Sequence, residues 1–223
     1  MKSNVIAIIP AREYDANLHN KNTLPFGRNN LLQHKIEQLK KVRLIDKVVV
    51  STDSRSIAKL ALESGAEVDD RPSEYSSHNS SFNTFINYIG LKYCEDELIL
   101  WAPVITPFID EKDYQSAIQI YRSMDKNIYD SLITVVKTKR HLLDQNGPLN
   151  FRFKVKNRSS QNLPDLFQYV NGISIARACD LVSWQYNWGE MPYMLEVSGK
   201  KAMDICDEVD YLSAKFLYEK SVL

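Results

Sequence analysis

Two cations, Arg12 and Lys21, lie in a polar loop, Ala11 to Asn22, that follows directly on the apolar run Val5 to Ile9 and Pro10. A guanidinium grips phosphate oxygens through its planar fork and an ammonium acts as a compact point charge, so the pair could neutralise a leaving pyrophosphate in nucleotidyl transfer. The loop holds no glycine and fits neither G-x-G-x-x-G nor G-x-x-x-x-G-K-[ST]. Taken alone, two solvated cations on a surface loop are the commoner explanation. Position argues otherwise, because ligands of α/β folds collect where buried strands empty at their carboxyl ends. Asn22 could read a ribose or base edge, or simply bond its own turn.

Three further groups could do chemistry. Arg71-Pro72 precedes a run of hydroxyls and amides, Ser76, Ser77, His78, Asn79, Ser80 and Ser81, which could cap the following helix or meet the edge of a base. The acidic run Asp204-Ile205-Cys206-Asp207-Glu208 with Asp210 could hold magnesium against a triphosphate, since a hard cation wants oxygen ligands. The same acids could equally cap a helix and compensate its dipole. Gln161-Asn162-Leu163-Pro164 and Asn171-Gly172 could touch an acceptor substrate or form turns. His19, His34 and His141 have no carboxylate or cysteine at suggestive spacing and receive no role.

The elements that must position these residues read as strands alternating with helices, the pattern of a mainly parallel sheet covered by helices. Val5 to Ile9 is the first strand. Leu32, Ile36 and Leu39 mark a helix capped by Asn29 or Asn30, and Lys47 to Ser51 the next strand. Ser51-Thr52-Asp53 offers cap oxygens for a helix of Ile57, Ala61 and Leu62, which Gly65 should end before a short edge strand at Ala66 to Val68. A helix through Phe82, Phe85, Ile86 and Ile89, a strand from Leu98 to Ala102, a helix opened near Asp110 and a strand from Ser131 to Val136 follow. Between Lys137 and Pro164 the chain turns basic, with a turn at Asn146-Gly147-Pro148 and alternation through Phe151, Phe153 and Val155. That segment reads as a hairpin or arm outside the sheet. Strands at Asn171 to Ala176 and Tyr193 to Val197 and a last helix through Val209, Leu212 and Phe216 complete the pattern.

With 223 residues, one domain spanning 1–223 is expected. Lysine plus arginine and aspartate plus glutamate balance at 28 each, so no global field draws the chain to nucleic acid or an anionic membrane. Cys94, Cys179 and Cys206 are unclustered, which argues against a disulfide framework and for the cytoplasm. No apolar run approaches the roughly 20 residues of a membrane span.

Several motifs in order resemble one family. Ile8-Ile9-Pro10-Ala11-Arg12, Lys21-Asn22, the run from Val48 to Ala58, Gly65 to Val68 followed by Arg71-Pro72-Ser73-Glu74, the strand exit from Trp101 to Phe108, Asn171-Gly172 and Asp204 to Asp210 are similar to the acylneuraminate cytidylyltransferases, or CMP-sialic acid synthetases. The likeness spans nearly the whole chain. It implies a Rossmann-like sheet of the nucleotide-diphospho-sugar transferase kind, with an arm, here 137–166, that crosses to a second subunit in a homodimer. The implied reaction joins CMP from CTP to the anomeric hydroxyl of a sialic-type sugar acid, with Mg2+ assisting. Arg12 and Lys21, as the catalytic pair, would then hold the phosphates, Ala11 would join them in the nucleotide site, and Asn22 and Arg71 would sit at ribose and cytosine. Ser80 and Ser81 would line the base, Gln161 and Asn171 would approach the acceptor, and Asp204 and Asp207 would serve the metal.

The chain also departs from the family pattern. Ala16 stands where a loop cation is expected, Pro103 where a glutamine is usual and Ile105 where a hydroxyl is common. The D-x-D-T metal motif reads Asp204-Ile205-Cys206-Asp207, and a neutral thiol is a poor magnesium ligand. Two readings therefore stand at this point: an active cytidylyltransferase with an unusual acceptor, and a relative that binds nucleotide or a partner protein without turnover.

Overall fold

The computed structural model describes residues 3–14, 18–77, 80–152 and 160–222. The chain runs through β1 (Val5–Pro10), a minor hairpin β2 (Pro25–Phe26) and β3 (Asn29–Asn30), α1 (Leu31–Lys40), β4 (Lys47–Thr52), α2 (Arg55–Glu63) and β5 (Glu67–Asp70). It continues through α3 (Phe82–Leu91), β6 (Leu98–Trp101), α4 (Glu111–Ser123), β7 (Ser131–Thr138) and a second hairpin, β8 (Leu143–Asp144) and β9 (Gly147–Pro148). β10 (Leu166–Arg177), α5 (Ala178–Trp184), β11 (Pro192–Glu196) and α6 (Glu208–Val222) close it.

β1 is apolar at every position from Val5 to Ile9 because both its faces and both its edges are covered: it pairs in parallel with β4 and with β6. The seven-stranded order is β11-β7-β10-β6-β1-β4-β5, and β10 alone runs against its neighbours. Alternate residues serve opposite layers. Val5, Ala7 and Ile9 pack with α1, α2, α4 and α6, whereas Ile6 and Ile8 pack with α3 and α5. Burying an isoleucine this fully contributes roughly 1.5–3 kcal/mol, so β1 is the spine of both cores.

Local chemistry sets the helix starts. The Asn30 side chain accepts the Gln33 amide at 2.9 Å, and Asp110 and Asp113 form a reciprocal capping box at the start of α4. At α2 the expected cap oxygens are spent elsewhere: Thr52 Oγ1 accepts the Ser54 amide, Asp53 accepts the Glu13 amide, and Ser54 takes the cap position. Leu62, expected on the buried face, is exposed.

The last helix buries a different face from the one its apolar spacing suggests. Val209, Leu212 and Phe216 point outward, 71%, 55% and 58% exposed, while Tyr211 and Ala214 are buried. Aromatic and hydroxyl contacts decide the matter, since the Tyr211 hydroxyl donates to the Pro25 carbonyl at 2.7 Å and the Tyr218 ring lies 4.6 Å from that of Phe26. Between β7 and β10 the β8–β9 hairpin stands outside the main sheet, tethered near its base by ion pairs of Lys137 and Lys139 with Asp165. The expected alternation at Phe153 and Val155 lies outside the described residues, as do Ala16, His78 and Asn79.

Candidate functional site

The order of strands reverses at β1: the chain moves outward to β4 and β5, then returns to place β6 on the other side. Loops leaving adjacent strands in opposite directions open a crevice at the carboxyl ends. A cavity of about 410 Å³ occupies that crevice, lined among others by Pro10, Arg12, Lys21, Asn22, Arg71, Ser80, Ser81 and Asn171. Tyr75, Phe82, Phe85 and Trp101 supply aromatic faces, and Pro103, Val104 and Ile105 form the exit of β6.

Hydrogen bonds hold the loop after β1 against the sheet. Ala11 is fully buried, lies outside the cavity lining and spends its amide on the Ser51 carbonyl at 2.9 Å, so it anchors the start of the loop rather than offering the nucleotide contact expected of it. The Asn22 side-chain amide donates to the Arg12 carbonyl at 2.8 Å. That bond makes Asn22 a clasp that brings the two ends of the loop together, with Arg12 and Lys21 on one wall of the cavity.

Arg71 is 5% exposed, and its guanidinium is fixed from three sides. Nη2 donates to the Ser51 carbonyl at 2.6 Å, Nε donates to Ser51 Oγ at 3.1 Å, and the group lies 3.7 Å over the Phe85 ring. Burial lowers its pKa to about 10, with Asp53 and Asp69 opposing, so the group stays charged at neutral pH. Beneath it Asp69 accepts from Ser51 Oγ at 2.6 Å and from Tyr88 at 2.7 Å, and also pairs with Lys92. Bonds from Lys92, Ser51 and Tyr88 keep that carboxyl below its usual range although burial alone would raise it.

On the α3 side, Ser81 caps the helix by accepting the Thr84 amide at 3.1 Å. Ser80 Oγ is buried without a hydrogen-bond partner among the described residues, an orphan facing a cavity and suited to a ligand's polar edge. Asn171 sits where β10 and β7 slip register, between Tyr169 and Ser174, and its Oδ1 accepts from the Tyr169 hydroxyl at 3.2 Å. The next residue, Gly172, leaves room for Ile109: a Cβ there would meet Ile109 Cδ1, which would have to swing aside. Gln161 stands apart: it is exposed, outside the cavity lining, and its carbonyl accepts from Lys139 at 2.9 Å.

The acidic segment is brought beside the cavity by one backbone bond, from the Ile205 amide to the Ile105 carbonyl at 2.9 Å. Asp204 is half-buried there, and burial and Asp210 raise its pKa while Lys21 opposes the rise. Burial and Asp204 likewise raise the Cys206 thiol, which stays protonated. Asp207 Oδ1 accepts the Asp210 amide at 2.9 Å, and Asp210 Oδ2 accepts the amides of Cys206 and Asp207. These two acids therefore cap α6. Among the described residues no group of three His, Cys, Asp or Glu side chains is arranged to hold a metal by itself.

Sequence reasoning assigned Phe82 and Phe85 to a helix core and did not single out Tyr75 or Trp101 as cavity residues. Phe82 packs edge-on to Trp101 at 5.7 Å and to Tyr186 at 5.5 Å, making a wall suited to a flat ring.

Comparison with known proteins bears on the family and the fold. The chain is 27% identical over 227 residues to an N-acylneuraminate cytidylyltransferase of Escherichia coli, covering 99% of this chain and 53% of that protein, about half its length. It is 26% identical to a CMP-N,N'-diacetyllegionaminic acid synthase of Legionella pneumophila, covering 96% of each. A solved CMP:2-keto-3-deoxy-manno-octonic acid synthetase complexed with CTP shares the fold, with a TM-score of 0.72 at 16% identity over 98% of this chain and 100% of that one. A 4-diphosphocytidyl-2C-methyl-D-erythritol synthase of Anaerococcus prevotii does so at 0.70 and 11%, over 97% and 96%. No helix among the described residues is long and apolar enough to cross a membrane. The cytidylyltransferase family model matches residues 6–157, a span that runs from β1 through the crevice loops into the hairpin segment, and the chain belongs to that family.

Proposed function

We propose that the protein transfers CMP from CTP to the anomeric hydroxyl of a sialic-type or related sugar acid and releases pyrophosphate. The observation that carries this reading is the convergence of Arg12, Lys21 and Arg71 with the orphaned Ser80 hydroxyl on one cavity at the switch in strand order. The names of the E. coli and L. pneumophila relatives support the substrate class. In the reaction the sugar hydroxyl oxygen bonds to the α-phosphorus as the bond to the pyrophosphate oxygen breaks, and the hydroxyl proton passes to solvent. Arg12 and Lys21 stabilise the negative charge that builds on the departing pyrophosphate, with the Ala11 backbone and the Asn22 clasp holding them in place. Arg71, Ser80 and Ser81 meet the cytidine side and Asn171 the acceptor side, whereas Gln161, apart from this cavity, would reach an acceptor only at the second subunit of the dimer.

Magnesium fits the donor set only as an ion shared with phosphate. A hard cation of this kind takes one or two carboxylates and keeps substrate oxygens and water as its other ligands. Asp204, its acidity weakened by burial and by Asp210, is the carboxylate that an added cation would relieve. Asp207 can contribute a second oxygen while the first remains on the Asp210 amide. When bound, the ion would neutralise triphosphate charge.

A cytoplasmic homodimer joined through 137–166 completes the proposal. Leu143 and Leu149 in that segment are exposed apolar residues suited to a partner surface. The reading of a silent relative loses ground because the cations its loop retains line the cavity together. The test is pyrophosphate release from CTP with a panel of sialic-type sugar acids, with the CMP-sugar identified by mass. Turnover with one of them supports the proposal; CTP binding without turnover on any contradicts it.

A further inference from the structure

A second cavity, of about 470 Å³, lies at the opposite end of the same strands. Ser3, just ahead of β1, and Leu98, the first residue of β6, form its floor, whereas the nucleotide cavity lies where β1 and β6 end at Pro10 and Trp101. Its walls carry three cations, Arg122, Lys126 and Arg177, against two carboxylates, Asp130 and Asp180.

One carboxylate is paired within the cavity, and the other keeps its charge while bonding only neutral donors. Asp180 receives two bonds from Arg177, at 2.8 Å from both Nε and Nη2, which neutralises that arginine. Asp130 accepts from Ser131 Oγ at 2.6 Å and from the Met191 amide at 2.9 Å. Two cations remain without a carboxylate partner among the described residues. Arg122 uses one of its five N–H donors, on the Ser3 carbonyl at 3.0 Å. The Lys126 ammonium rests 3.2 Å over the Tyr121 ring, and no acceptor within hydrogen-bonding reach holds it among the described residues. Loss of hydration and the nearby Arg177 lower the Lys126 pKa to about 8, with Asp180 opposing. Tyr129 and Trp184 add ring faces, and Tyr129 is held edge-on by Tyr193 at 5.2 Å.

We propose that this cavity is a second ligand site, for a small phosphomonoester carried on a ring, with Arg122 and Lys126 on the phosphate and Tyr129 and Trp184 against the ring. With Arg177 and Asp180 cancelling each other, Arg122 and Lys126 outnumber the one remaining carboxylate, Asp130, so the lining keeps a net positive charge for a phosphate, and a guanidinium fork beside an ammonium is the pairing that recognises phosphate oxygens. Aromatic walls favour a flat or sugar ring over a bare ion. The site is separate from the nucleotide cavity and does not rest on the reaction proposed above.

The probe is phenyl phosphate, with inorganic phosphate and phenol as its two halves, titrated calorimetrically into the full chain and into Lys126→Ala, Arg122→Ala and Lys21→Ala. Phenyl phosphate should bind about tenfold or more tightly than either half, and each of Lys126→Ala and Arg122→Ala should weaken it about tenfold. Lys21→Ala, which alters only the nucleotide cavity, should leave this binding unchanged. In isotope-labelled protein the titration midpoint of Lys126 should also rise when phenyl phosphate is bound. Absence of binding, inorganic phosphate binding as well as phenyl phosphate, indifference to both Lys126→Ala and Arg122→Ala, or loss on Lys21→Ala would each overturn the proposal.

Discussion

Lys35 is buried completely on the inner face of α1, where Nζ donates to the Thr106 carbonyl at 2.8 Å and to the Tyr114 hydroxyl at 2.7 Å. Removal from water lowers its pKa from 10.5 to about 7, against the pull of Asp113 and Asp110. In the unfolded chain the same lysine holds its proton to about 10.4. Between these two values the unfolded state binds more protons, so stability against unfolding rises with pH through that window, by up to about 1.4 kcal/mol per pH unit from this group. Below pH 7 both states are protonated and the full cost of burying the charge applies, about 5 kcal/mol in order of magnitude, comparable with the low end of a domain's total stability. The perturbation is Lys35→Met, which keeps the apolar stem and removes the titration. Urea unfolding at pH 6, 7, 8 and 9 should show wild-type stability climbing relative to the variant by about 1 kcal/mol per pH unit above 7, with a constant difference below it. Other groups titrate in both proteins and cancel in the difference. Parallel profiles from pH 6 to 9 would refute the assignment of a neutral, buried Lys35.

Other expectations follow from the same structure. Lys21→Ala should lower turnover about 100-fold or more while leaving the unfolding midpoint unchanged, because it removes charge compensation at the transition state rather than packing; activity within tenfold of wild type would count against the phosphate role. Gly172→Val should destabilise the protein by about 1–3 kcal/mol in chemical denaturation, since the new side chain meets Ile109 in a filled core, and an unchanged midpoint would mean that β10 can move aside. Cys206→Asp should tighten the dependence of turnover on magnesium if the segment from Asp204 to Asp207 serves the metal, and an unaltered magnesium titration would point to other ligands.

Much of the fold was legible because its signals are local. The unbroken apolar run of β1, the cap at Asn30 and the acids opening α4 each act within a few residues, and each occurs where expected. The face of α6 was not legible, because Val209, Leu212 and Phe216 compete with Tyr211, Ala214 and Tyr218 on one helix and the tertiary contacts of Tyr211 and Tyr218 decide between them. α5 was missed: seven residues that bury only Ala178 and Leu181 carry too little periodicity to register. At the site, the two loop cations and Arg71 could be placed by strand order, yet the spending of the Asn22 amide on Arg12 depends on how the loop folds back. Lys35 did leave a trace. It lies four residues after Leu31 and four before Leu39, on the stripe that the helix buries.

The central claim is a magnesium-assisted CTP site between Arg12, Lys21, Arg71 and Ser80, and calorimetric titration of the purified protein with CTP, ATP, GTP and UTP, each with and without magnesium, tests it most directly. Selective binding of CTP that tightens with magnesium is the result predicted. Absence of binding by any nucleotide, or equal binding of all four, would contradict it.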